Sequence, residues 1–142
     1  MSSEYFQKEV KQMYARTEHW ISDYDFFEDE FTFLTNLMDK YFIGAVLSDE
    51  ERNKTLKDLA DRLLKLDEAR KHIASLNKEN LSYLAHLIQN KEVFDPEECR
   101  DRQSDLESDH VDFLRKYRAI KKEIFQVSGQ LLESARSKKL LS

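Results

Sequence analysis

The sequence predicts an all-α fold: an up-down-up antiparallel bundle of three long, coiled-coil-like helices at approximately 4–43, 49–91 and 96–139. Three observations carry this. Among 142 residues there are two glycines and one proline, too few for the many tight turns of a sheet protein. Ala, Glu, Lys, Leu and Arg account for 64 of the residues, close to the half-share that marks long helices. Apolar residues recur at alternating three- and four-residue spacing through three segments separated by turn signals, the period of a helix whose seam faces partner helices. The length suits one helical-bundle domain over residues 1–142.

In the first helix the seam runs Phe6, Val10, Met13, Thr17, Trp20, Tyr24, Phe27, Phe31, Leu34, Met38 and Tyr41. Aromatic density between Asp23 and Phe33 would suit a strand, but the unbroken seam outweighs it. Gly44 is placed to end the helix, since glycine tolerates a positive φ.

Ser48 and Glu51 read as a capping box, in which hydroxyl and carboxylate satisfy the first amides of the second helix. Its seam is Leu56, Leu59, Leu63, Leu66, Arg70, Ile73, Asn77, Asn80, Leu84 and Leu87, interrupted by three polar residues. Asp95-Pro96-Glu97-Glu98 then combines an N-cap, a first-turn proline and early carboxylates, a strong helix start. The third seam carries Cys99, Gln103, Leu106, His110, Phe113, Tyr117, Ile120, Ile124, Val127 and Leu131, and the tail from Ser137 to Ser142 is expected to fray.

Helices of roughly 40 residues are on the order of 60 Å long. Short turns between equal rods force neighbours antiparallel. Centring the turns between Gly44 and Asp49 and near Val93 places position i of the first helix level with 94 minus i on the second and i plus 93 on the third. Phe31 then lies level with Leu63 and Ile124, Phe27 with Leu66 and Ile120, Leu34 with Leu59 and Val127, and Met38 with Leu56 and Leu131. All are apolar. The same register sets the acidic run Asp23, Asp25, Glu28, Asp29 and Glu30 beside Arg115, Lys116, Arg118, Lys121 and Lys122, so internal pairing explains the basic cluster better than a phosphate patch does.

Composition excludes several function classes. With 23 basic and 28 acidic residues, a dedicated nucleic-acid binder is not expected. No stretch has the apolar length of a membrane span. The single cysteine, Cys99, cannot close an internal disulfide, and the first thirty residues carry no secretory pattern, which together favour a cytoplasmic protein.

The register predicts buried polar layers made of Thr17, Asn77 and His110, with Tyr24, Arg70 and Tyr117 close by. Buried polar groups cost free energy unless satisfied, so such layers either fix pairing or serve a site; fixing pairing is the expectation. Glu107 and His110 stand one turn apart, as in the Glu-x-x-His half-site of di-iron bundles, but no seam supplies the further carboxylates. A metal or small-ligand site around His110, Glu107, Asn77 and Thr17 is therefore the alternative, and no metal or cofactor is expected. Glu68 and His72 fall away from the seam, and His19 and His86 project outward. No nucleophile elbow or phosphate loop is present, and Cys99 reads as a small buried hydrophobe.

Hydrophobic residues exceed what the seams consume. Phe26 and Phe33 share an outer face of the first helix, and Phe125 and Leu132 lie off the seam of the third. Such a surplus marks either an interface or a wide core in which the flanking positions are also covered. The expected function is a non-enzymatic protein-interaction or structural module, self-associating as a homodimer through the outer faces of helices 1 and 3.

Overall fold

The computed structural model describes residues 2–45, 50–90 and 95–141, and they form three packed helices: α1 (Ser2–Ala45), α2 (Glu50–Asn90) and α3 (Pro96–Leu141). No strand occurs among the described residues, so the aromatic stretch between Asp23 and Phe33 is helical, as its seam dictates. The fold is an all-α three-helix bundle. No helix among the described residues is long and apolar enough to cross a membrane.

The start of α3 is built as its sequence reads. Asp95 Oδ1 accepts a hydrogen bond from the Glu97 amide at 3.0 Å, and the Asp95 carbonyl accepts from the Cys99 amide at 3.2 Å. Pro96, with no N–H to satisfy, occupies the first helical position. The helix continues past Ser137 to Leu141. Ser48 of the proposed capping box, the turn centre near Val93, and the side chains of Tyr41, Leu131 and Leu132 lie outside the described residues.

The chain divides into two compact units, Met1–Phe27 with Ala69–Phe113 and Glu28–Glu68 with Leu114–Ser142. Each takes one end of all three helices. Within each unit α2 therefore runs against α1 and α3, which are parallel to each other: up-down-up.

In the first unit Phe6, Val10, Leu84, Leu87 and Cys99 form a buried cluster flanked by Met13, Tyr14, Tyr83 and Ile88. Tyr24, Phe27 and Phe113 pack around one another with ring centroids 5.1–5.5 Å apart. In the second unit Phe31, Leu34, Leu56, Leu59, Leu63, Ile120 and Ile124 are buried, each stabilising the fold by roughly 1.5–3 kcal/mol as a fully buried apolar side chain. All ten α2 seam positions are buried, including Arg70, Asn77 and Asn80. Near the end of α3 the inward position is Ser128, while Val127 is half-buried.

The axial placement of α3 differs from the sequence register. Met13 meets Cys99, Thr17 meets Gln103, Tyr24 meets His110 and Phe27 meets Phe113 in the first unit, and Phe31 stacks on Tyr117 in the second. Every one of these pairs is 86 positions apart, not 93, so α3 is displaced by seven residues, one heptad, relative to α1. A heptad shift returns each core position to an equivalent one; the apolar pattern is unchanged by it, and apolar matching could not detect it.

Candidate functional site

With Val10, Thr17 and Tyr24 taken as heptad position a and Phe6, Met13 and Trp20 as d, the displacement reassigns the polar core of the first unit. Asn80 Nδ2 donates to Gln103 Oε1 at 2.9 Å, Gln103 Nε2 donates to Thr17 Oγ1 at 3.4 Å, and Thr17 Oγ1 donates to the Met13 carbonyl at 2.8 Å. All three helices contribute one side chain. Gln103 stands where His110 was expected, a direct consequence of the one-heptad shift. Thr17, Asn77, Asn80 and Gln103 are all buried, and the Oδ1 atoms of Asn77 and Asn80 have no hydrogen-bond partner among the described residues. The Asn80–Gln103 and Gln103–Thr17 hydrogen bonds link side chains of all three helices.

His110 belongs to a different group. Its Nδ1 lies 3.1 Å from Tyr24 Oη, and its ring is 5.5 Å from those of Trp20 and Tyr24. Burial holds its pKa below the ordinary imidazole value, Asp23 opposing that shift and His19 adding to it. Burial also raises the Tyr24 phenol, with Asp109 and Asp23 adding to the effect. Glu107 is exposed and pairs with Arg16 at 3.8 Å, so the carboxylate and imidazole of the Glu-x-x-His spacing are engaged separately. No group of three or more His, Cys, Asp or Glu side chains suited to a metal occurs among the described residues. Arg70 is buried on the α2 seam, and in the second unit Tyr117 stacks on Phe31 with Lys121 over its ring at 5.5 Å. Cys99 is buried with Sγ 3.7 Å from Met13 Sδ, and burial pushes its thiol up, the opposite of activation.

The side where α1 meets α3 carries a repeating charge pattern. In the first unit Arg100 grips Glu9 through two bonds of 2.8 and 2.9 Å, and Arg16 pairs with Glu107; in the second unit Lys121 donates to Glu30 at 2.8 Å. Each pair spans 91 positions, joining position g of α1 to position e of α3 as in parallel coiled coils. The Glu30–Lys121 pair joins the acidic and basic runs read from the sequence. A groove of about 290 Å³ in the first unit is lined by the Glu9–Arg100 and Arg16–Glu107 pairs together with Met13 and Gln103. Its charged groups already satisfy one another.

Large apolar side chains flank these ion pairs. Six are exposed among the described residues: Tyr5, Phe26, Phe33, Leu64, Val111 and Phe125. Tyr5, Phe26 and Phe33 fall on position c of α1, next to g; Val111 and Phe125 fall on position b of α3, next to e. In the first unit these are Tyr5, Phe26 and Val111, and in the second Phe33 and Phe125. Only Leu64, on α2, stands elsewhere. Phe26 and Phe33 are 59% and 56% exposed, so the core does not consume them. Leu132 continues the α3 line by spacing, but its side chain lies outside the described residues.

No protein-family model, curated protein or solved structure matches this chain.

Proposed function

We propose that this chain is a non-enzymatic helical interaction module that associates with a second copy of itself through the side bearing α1 and α3. The observation that carries the reading is the segregation of exposed hydrophobics: five of the six lie on the two heptad lines that border the α1/α3 ion pairs. Scattered apolar residues need no explanation, whereas ones that recur on the same heptad lines mark an interaction surface. The core supports the same reading. Three of its buried polar side chains, Thr17, Asn80 and Gln103, are hydrogen-bonded across helices, and its one thiol is buried and raised in pKa.

Multi-angle light scattering of the purified chain tests the reading. The wild type is expected to be a dimer at high micromolar concentration, and Phe26→Glu with Phe33→Glu is expected to make it a monomer of unchanged helicity. A wild type that stays monomeric over the whole concentration range removes the proposal.

A further inference from the structure

The two halves of α3 carry opposite charge. Residues 96–113 hold seven acidic and two basic side chains, and residues 114–141 hold eight basic and two acidic ones. Neither of the other helices reverses in this way: α1 is acidic in both halves, and α2 is close to balanced. Part of the polarity is turned outward. Asp101 and Asp105 in the first half, and Arg118 and Lys122 in the second, are exposed at heptad positions b, c and f, away from the a and d seam. Val111 and Phe125 lie on the same b line as Arg118, 62% and 45% exposed. At f, next to that b line, the charge is acidic at Asp101 in the first half and basic at Lys122 in the second, and Arg118 lies on the b line itself.

We propose that a second copy of this chain docks antiparallel along α3, with the acidic first half of one α3 against the basic second half of the other. This rests on the self-association reading and adds the orientation and the contacting helix. The argument is one of complementarity. A parallel arrangement brings acid to acid and base to base, with an unfavourable contact in each half. An antiparallel arrangement brings opposite charges together in both halves and is its own two-fold mate, so it closes as a dimer and leaves no free charged end to propagate. Charges of this kind select partner and direction more than they add affinity. The aligned apolar residues supply the buried area between them.

Salt decides the orientation, because screening weakens attraction and relieves repulsion. Sedimentation equilibrium of the full chain in about 0.05 M and about 0.5 M NaCl is expected to show a dimer whose Kd rises about five-fold or more at the higher salt. Asp101→Lys with Asp105→Lys, and separately Arg118→Glu with Lys122→Glu, are each expected to weaken the dimer about ten-fold. All four changes in one chain exchange the signs at those four sites, so that the substituted positions again face opposite charge, and are expected to restore the wild-type Kd within about two-fold. All four sites are exposed, and circular dichroism confirms that each variant keeps its helices. A dimer that tightens with salt, or a four-site variant that stays weak, overturns the antiparallel docking while leaving self-association in place. A chain monomeric at both salt concentrations overturns the docking together with the reading beneath it.

Discussion

Asn80 and Gln103 meet in the core of the first unit, with Asn80 Nδ2 donating to Gln103 Oε1 at 2.9 Å. Gln103 in turn donates to Thr17, so one side chain ties α3 to both α2 and α1. Removing a buried partner strands the other, at a cost of roughly 1–3 kcal/mol. Gln103→Leu is therefore expected to destabilise the fold by about that amount. Asn80→Leu with Gln103→Leu removes donor and acceptor together, and is expected to lie closer to the wild type than the single change. Urea unfolding of the two single variants and the double variant measures the coupling. Strictly additive effects would show that the hydrogen bond contributes nothing to pairing.

Asn77 calls for the opposite outcome. It is 1% exposed, and its Oδ1 is buried without a hydrogen-bond partner among the described residues. An orphaned acceptor carries a desolvation cost that a hydrophobic residue of similar volume does not. Asn77→Leu is expected to stabilise the chain by about 1 kcal/mol, seen as a higher urea midpoint at constant slope. A destabilised variant would mean that the amide has a partner not formed by this chain.

These two predictions depend on residues whose burial was legible in the sequence and whose partners were not. The three-four spacing placed Thr17, Asn77, Asn80 and Gln103 on the seams, and all four are buried. The spacing could not say which of them share a layer. A heptad pattern repeats every seven residues, so sliding α3 by seven keeps Phe27 opposite an apolar residue, Phe113 in place of Ile120. Charges at g and e do not repeat in this way. At the observed placement Glu9, Arg16 and Glu30 meet Arg100, Glu107 and Lys121. Shifted by seven, the same three would face Glu107, Leu114 and Ser128, with no complement. Asp23, also at g, would meet Lys121 in that shifted placement, so the count is three complementary pairs against one. That signal was present in the sequence, and it favours the observed placement where the apolar pattern is degenerate. That Phe26 and Phe33 leave the seam was legible too, because position c does so whatever the axial shift; that they are exposed rather than covered by a wide core is decided by the structure.

Stability is expected to fall on both sides of neutrality, for separate reasons. His110 is held below the ordinary value of 6.5, chiefly by burial. As pH drops through 6.5 the unfolded chain takes up a proton that the folded chain resists, so the contribution is complete above 6.5 and is lost on descent towards the lower folded value. Tyr24 is raised above 10.0, again chiefly by burial. Its contribution is complete below 10 and is lost as the pH climbs past that value, because the unfolded phenol ionises first. Urea midpoints at about pH 5, about pH 7.5 and about pH 10.5 map both limbs. His110→Gln is expected to flatten the stretch between 6.5 and the carboxylate range. Tyr24→Phe is expected to reduce the alkaline slope without abolishing it, since Tyr83 and Cys99 are raised as well. An acid limb unchanged in His110→Gln would assign it to carboxylates instead.

Gly129 lies inside α3, and a Cβ built on it would meet nothing within 4 Å. No close approach of another backbone among the described residues requires glycine there. The residue therefore costs helix stability without a packing return, because its unfolded backbone has more freedom to lose than alanine's. Gly129→Ala is expected to stabilise the chain by roughly 0.5–1 kcal/mol, visible as a higher Tm with an unchanged helical signal. Gly129→Pro is the contrasting control, expected to cost about 3 kcal/mol or more by removing an amide donor and clashing with the preceding turn. Should Gly129→Ala lower Tm, or change the dimer Kd, the position must be covered by something outside this chain's own three helices. Its place at f of α3, beyond Lys122 on the same line, would make the second copy the first suspect.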